Sequence, residues 1–258
     1  MKVQVILNCR TRSSLQTGLV ESLQQQTCPH EQVIVPNQDF PSRISQIQDP
    51  RDLYVFLDED VLLPHAHYLE EIREIFQESS DLLFLTGAYM SPDSSSYLQR
   101  CYNSLVTHWI HADSPNQQGF ARCLNAPGGA WIVSGKILSH LSNWVEPTFW
   151  GGEDTWTLRQ LQQMGVDIFY HPSANVYHRP RSEWLHFLRR AYRQGQSRTA
   201  WNLSTPTPIK RLKWSFILRH SSHWPGWMTH HFFVEAGSMS HFALSRMARK
   251  IPKTSPTP

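Results

Sequence analysis

Leu53-Tyr-Val-Phe-Leu-Asp58-Glu59-Asp60-Val-Leu-Leu-Pro64 decides how the rest of the chain is read. Its first five residues are β-formers and aromatics, the composition of a short buried strand, and an acidic triplet follows at once. After a second apolar step and a proline, a helical pattern runs over residues 65–78. Carboxylates at the carboxyl end of a buried strand stand in the mouth of an open α/β sheet, where the ligands of such sheets bind. Asp58 and Asp60 are two apart, and in extended geometry they point the same way. That pattern suits a hard divalent cation, which takes few protein carboxylates and fills its shell with phosphate oxygens. The same triplet would also serve as a dipole-matched cap for the following helix. The stretch alone leaves both readings open.

Working outward, residues 3–7 read as a first strand that ends in the polar turn Asn8-Cys9-Arg10-Thr11-Arg12. Ser13 or Ser14 caps a helix running to about Gln26, with Leu15, Leu19, Val20 and Leu23 on one face. Residues 33–35 form a second strand stopped by Pro36, and residues 82–88 a further one. This order of strands and helices predicts an α/β fold: a mostly parallel central sheet with helices on both faces. Residues 91–123 have no clean period apart from a helical stretch over 97–110, and are expected to form a partly helical excursion facing the substrate.

Two glycine pairs follow. Asn125-Ala-Pro-Gly128-Gly129-Ala runs into a short strand, and glycines there either let a ligand approach the backbone or simply make a turn. Phe149-Trp150-Gly151-Gly152-Glu153-Asp154 opens a helix through Leu158, Leu161 and Met164 that stops at Gly165. Acids in a first turn are favoured by the helix dipole alone. The preceding glycines and aromatics instead fit a tight turn beneath a ligand, and the unpaired amides of a helix start keep a carboxylate ionised. Strands follow over 166–170 and 174–178. The second ends in His178, a structural residue unless the fold brings it to Asp60.

From Ser182 the pattern is again helical. Trp184, Leu185, Leu188, Ala191 and Tyr192 form the expected apolar face, flanked by Arg189, Arg190, Arg193 and Arg198. That flank is either a solvated face or a place where Arg190 and Arg193 reach phosphates, which guanidinium groups fit geometrically. Residues 206–258 mix basic residues with Trp214, Trp224, Trp227, Phe232 and Phe233, as in helices lying on an anionic membrane, or in a helix pair packed on the domain. The expected division is therefore 1–200 and 201–258.

Of the 258 residues, 40% are hydrophobic and 17% charged, which excludes a disordered chain, and a net charge of +3 makes no case for nucleic acid. Four cysteines without CxxC spacing point to free thiols in a reducing compartment. The opening apolar run is too short for a signal peptide, and no stretch is apolar enough to span a bilayer. A cytoplasmic location is expected, peripheral on the inner face of the cell membrane if the C-terminal segment meets lipid.

Taken in order, these pieces resemble the GT-A glycosyltransferases of family 2, with a galactosyltransferase-like C-terminal region. Asp58-Glu59-Asp60 stands in the place of that family's DxD motif, Gly128-Gly129 in its donor loop, and Gly151-Gly152-Glu153-Asp154 in its acidic motif. The resemblance covers residues 1–200. It implies a divalent metal, Mn2+ or Mg2+, held by Asp60 and His178, and a nucleotide-sugar donor near Asp58, Arg10, Asp39, Gly128, Gly129, Arg190 and Arg193. It implies Asp154 as general base with Glu153 beside it, Trp150 stacking on the acceptor, a glycan or lipid-linked hydroxyl as acceptor, and inversion at the anomeric carbon. The chain departs from the pattern after its second strand, where Pro36-Asn37-Gln38-Asp39 replaces an Asp-Asp-Gly-Ser-like run and only Asp39 substitutes for it. Two other readings compete: a sugar-phosphate nucleotidyltransferase, whose glycine-rich phosphate loop is missing after the first strand, and a non-catalytic carbohydrate- or nucleotide-binding protein.

Overall fold

Every residue from Leu53 to Leu57 is buried, so the strand they form is covered on both faces. The computed structural model describes residues 1–9, 17–36, 49–110, 115–123, 125–138, 153–202 and 221–250. The chain divides into two units, Met1–Glu146 with Glu153–Pro180, and Pro147–Gly152 with Arg181–Pro258.

The strands of the first unit are β1 (Val3–Cys9), β2 (His30–Pro36), β3 (Leu53–Asp58), β4 (Val61–Leu62), β5 (Phe84–Thr86), β6 (Tyr89–Met90), β7 (Ala121–Arg122), β8 (Ala130–Ser134), β9 (Ile168–Tyr170) and β10 (Val176–His178). Its helices are α1 (Thr17–Gln24), α2 (Tyr68–Glu78), α3 (Tyr97–Trp109) and α4 (Glu153–Gln163). The main sheet has seven strands in the order β2-β1-β3-β8-β5-β9-β7, and β4-β10-β6 form a small second sheet. β1 is parallel to β2 and β3, and β5 to β9, while β8 runs against both β3 and β5 and β7 against β9. Five of the seven strands, β1, β2, β3, β5 and β9, run the same way, which is the mostly parallel sheet the sequence predicts.

Alternation along the strands places Ile6, Tyr54, Phe56, Phe84 and Val133 in one core layer with Leu158 and Leu161 of α4. The intervening Val5, Leu7, Val55 and Leu57 face the other way and are equally buried. α2 buries Tyr68, Leu69, Ile72 and Phe76 and carries Glu70 and Glu71 in its first turn, where the dipole favours them. Each such side chain contributes about 1.5–3 kcal/mol by leaving water.

Several elements differ from the sequence expectation. The predicted strand over 82–88 is shorter, β5 at 84–86, and β6 at 89–90 follows it in the other sheet. Gly87 lies between them because a Cβ there would sit 1.9 Å from the carbonyl oxygen of Ala174, on a turn of chain far away in sequence. The helix after Pro64 starts at Tyr68, since residues 61–62 first pair with β10. α3 lies within the helical stretch expected over 97–110 and buries Leu98, Cys101, Tyr102, Leu105 and Val106. A capping box starts it: Ser96 accepts from the Gln99 amide at 3.3 Å, and the Gln99 side chain accepts from the Ser96 amide at 2.7 Å.

In the second unit, α5 (Trp184–Asn202) packs against α6 (Trp224–Lys250). The expected apolar face of α5 is wrong at its start, for Trp184 and Leu185 are 52% and 59% exposed. Among the described residues of this helix the buried positions are Phe187, Ala191 and Gly195. The reason is close backbone approach: a Cβ on Gly195 would lie 1.8 Å from the Val234 carbonyl, and one on Gly237 2.0 Å from that of Tyr192. Among the described residues no helix is long and apolar enough to cross a membrane. The four cysteines are buried and form no disulfide.

Candidate active site

Asn8 and Asp58 are register partners at the carboxyl ends of β1 and β3, so their side chains leave the sheet on the same face. Asn8 Nδ2 donates to Asp58 Oδ1 at 3.1 Å. On the other side of β3 the Asp58 amide donates to the Gly129 carbonyl at 3.0 Å, which carries the β3–β8 ladder one step further. The Gly129 amide donates to Tyr89 Oη at 2.7 Å. A Cβ at Gly129 would lie 2.3 Å from that same oxygen and 3.1 Å from Asp58 Oδ2, so no larger residue fits without displacing one of them. Gly128 is half-buried in the same turn.

The chain turns at Glu59–Asp60 and enters β4, which pairs with β10 so that Val61 lies opposite His178. The Arg179 amide donates to the Asp60 carbonyl at 2.8 Å. This ladder brings Asp60 Oδ1 to 3.4 Å from His178 Nε2. The geometry differs from the extended one inferred for Asp58 and Asp60: the turn sends Asp60 to His178, while Asp58 is held by Asn8.

His178 is 2% exposed and the Asp60 side chain 24%, so the histidine is walled in and the carboxylate meets solvent. The imidazole stacks on Tyr89 with ring centroids 4.1 Å apart, and Tyr102 tilts over it at 5.8 Å. Its Nδ1 lies 2.6 Å from Asn103 Oδ1. Sequence reasoning singled out none of Asn8, Tyr89 and Asn103. The strand ends and aromatic character at 8 and 89 were a weak signal, and nothing local marked Asn103.

Among the described residues no group of three or more His, Cys, Asp and Glu side chains gathers. Among the described residues a cation beside Asp60 and His178 would take these two as ligands, with substrate oxygens and water able to fill its shell. Ions that act on phosphates bind in that way, and a carboxylate oxygen with an imidazole nitrogen suits a first-row divalent ion. The pair fits such an ion.

Glu153 and Asp154 are the first two residues of α4, at the helix start predicted for them, and their side chains lie outside the described residues. Arg10, Asp39 and Trp150 also lie outside them. Arg190 and Arg193 are on α5 of the second unit, Arg193 exposed and Arg190 half-buried.

The family profile described as "Glycosyl transferase family group 2" matches residues 54–249. Among solved structures, the mannosyltransferase PcManGT from Pyrobaculum calidifontis, in complex with GDP-Man and Mn2+, is similar with a TM-score of 0.55. Identity is 11%, over 97% of this chain and 76% of that one. TarS 1-349 of S. aureus is similar with a TM-score of 0.52 and 11% identity, over 99% of this chain and 76% of that one. Comparison with curated proteins finds no match. At such identities the structural likeness speaks for the fold, and the profile, which spans most of the chain, speaks for the family. The chain is a GT-A glycosyltransferase and belongs to glycosyl transferase family group 2.

Proposed function

We propose that this glycosyltransferase is metal-dependent and inverting, and moves a sugar from a nucleotide-diphosphate donor to a hydroxyl of a glycan or lipid-linked acceptor. The observation that carries the reading is the 3.4 Å approach of Asp60 Oδ1 to His178 Nε2 at the mouth of the sheet. Mn2+ or Mg2+ held there supplies the positive charge that a departing nucleoside diphosphate needs. That PcManGT is complexed with GDP-Man and Mn2+ supports a donor and an ion of these classes.

Asp58, fixed by Asn8, hydrogen-bonds the ribose or the sugar of the donor, and the Gly128-Gly129 turn leaves room for it. Asp39 and Arg10 serve the base and phosphates. Asp154 takes the proton of the acceptor hydroxyl as that oxygen bonds to the anomeric carbon and the bond to the diphosphate breaks. Glu153 positions the reactants and Trp150 stacks on the acceptor. One base opposite the leaving group gives inversion.

The protein works in the cytoplasm and touches the inner face of the membrane through residues 206–250. Supporting this, Met228, Phe232 and Met239 of α6 are 51%, 67% and 67% exposed and recur at helical spacing.

The test is direct. Asp60→Asn and Asp154→Asn should each lower sugar transfer by about 100-fold or more while thermal unfolding is unchanged. Transfer at the wild-type rate by folded Asp154→Asn would remove the base assignment.

A further inference from the structure

Asn103 sits in the middle of α3, is 1% exposed, and touches β6, β10 and the loop after β6 at once. Its Nδ2 lies 2.8 Å from the His178 carbonyl, 3.3 Å from the Met90 carbonyl and 3.1 Å from Ser91 Oγ. Two of those partners are carbonyl oxygens, which only accept, so the amide group of Asn103 must face them with its NH2. Its oxygen is then the atom 2.6 Å from His178 Nδ1. An amide oxygen cannot donate, so the proton of this hydrogen bond belongs to Nδ1.

We infer that Asn103 is a positioning residue: it holds the proton of His178 on Nδ1, and so turns Nε2 toward Asp60 as the nitrogen that binds the cation. The inference rests on the metal-dependent reading above and deepens it. The remaining contacts fix the ring in the same orientation. Tyr89 stacks on one face, and Thr107 Oγ1, one helical turn after Asn103, donates to the Tyr89 carbonyl at 3.2 Å. α3 therefore secures both the ring that supports His178 and the tautomer that His178 presents. A partner on the second ring nitrogen orients a metal-binding histidine and raises its basicity, and losing it typically weakens metal binding about 10–100-fold.

The experiment uses the full chain labelled with 15N-histidine. His178 is assigned by its loss in His178→Gln, and Mn2+ affinity is read from the electron paramagnetic resonance of free Mn2+. In the metal-free wild type, Nδ1 of His178 should carry a proton, and a bare Nδ1 overturns the inference. Asn103→Leu should weaken Mn2+ binding about 10–100-fold. Asn103→Asp, which keeps an oxygen acceptor but loses the donors to the two carbonyls, should bind within about threefold of wild type. If the aspartate variant binds as poorly as the leucine variant, the backbone ties matter and not the tautomer, and the inference fails. It also fails if folded Asn103→Leu binds Mn2+ as the wild type does. Should Asn103→Leu not fold, the wild-type spectrum and Asn103→Asp decide. A wild type that binds no Mn2+ sinks the metal reading instead, and the nitrogen spectrum still reports on Asn103.

Discussion

Tyr89 stacks on His178 at 4.1 Å between ring centroids, with the ring planes 22° apart, while its hydroxyl accepts from the Gly129 amide. The glycine turn and the Asp60–His178 pair are therefore joined through one aromatic side chain. Gly129→Ala would set a Cβ 2.3 Å from Tyr89 Oη, so the ring must move and His178 loses its support. Mn2+ affinity is expected to fall about 10-fold, as for other losses of support to a metal ligand. Adding Tyr89→Phe removes the atom that clashes and should restore much of that affinity. The double variant should be about 1–3 kcal/mol less stable because a buried amide loses its acceptor. Affinity titrations and thermal melts of the single and double variants check this, and unchanged affinity in Gly129→Ala contradicts it.

His230 should make the second unit acid-sensitive. Burial first, then the nearby charges of Arg190 and His231, push it down to about 3 from 6.5, and Gln194 pairs with its Nε2 at 2.9 Å. The folded state keeps the ring neutral where the unfolded chain would be protonated. Its contribution is therefore fully present above pH 6.5 and is lost as pH falls toward 3. The slope approaches about 1.4 kcal/mol per pH unit inside that window. Melts of wild type and His230→Leu between neutral and acid pH should converge as pH drops. Parallel curves would contradict the assignment.

The exposed residues of α6 predict binding to anionic vesicles at low salt. Replacing Met228, Phe232 and Met239 together by serine removes the apolar contact and should lower the bound fraction several-fold, with the fold intact by circular dichroism. Sedimentation with phosphatidylglycerol vesicles measures it. A wild-type chain that stays in the supernatant rules out this surface.

Much of the fold was legible because its signals are local. The apolar run before Asp58 and the stop at Gly165 each name an element from neighbouring residues. Gly165 has φ +83, the left-handed backbone expected where a helix ends in glycine. The break between β5 and β6 was not legible, since what requires Gly87 is the carbonyl of Ala174. Nor was the exposed start of α5, because glycine at 195 and 237 carries no hydrophobic signal although it sets where the helices touch. In the site, Asp60 and His178 were visible as residue types, but their meeting depends on the pairing of β4 with β10, two-residue contacts that no periodicity reports. Asn103 was invisible for a related reason: a polar residue in a helix usually faces water, and here two other strands converge on it.

The most direct test of the central claim is nucleoside diphosphate release by the purified full chain with a panel of nucleotide sugars, with and without Mn2+. The account predicts release with at least one donor, dependent on Mn2+, and its loss in Asp60→Asn and His178→Gln proteins that melt like wild type. No release from any donor, or release that is indifferent to Mn2+ and to both substitutions, would contradict it.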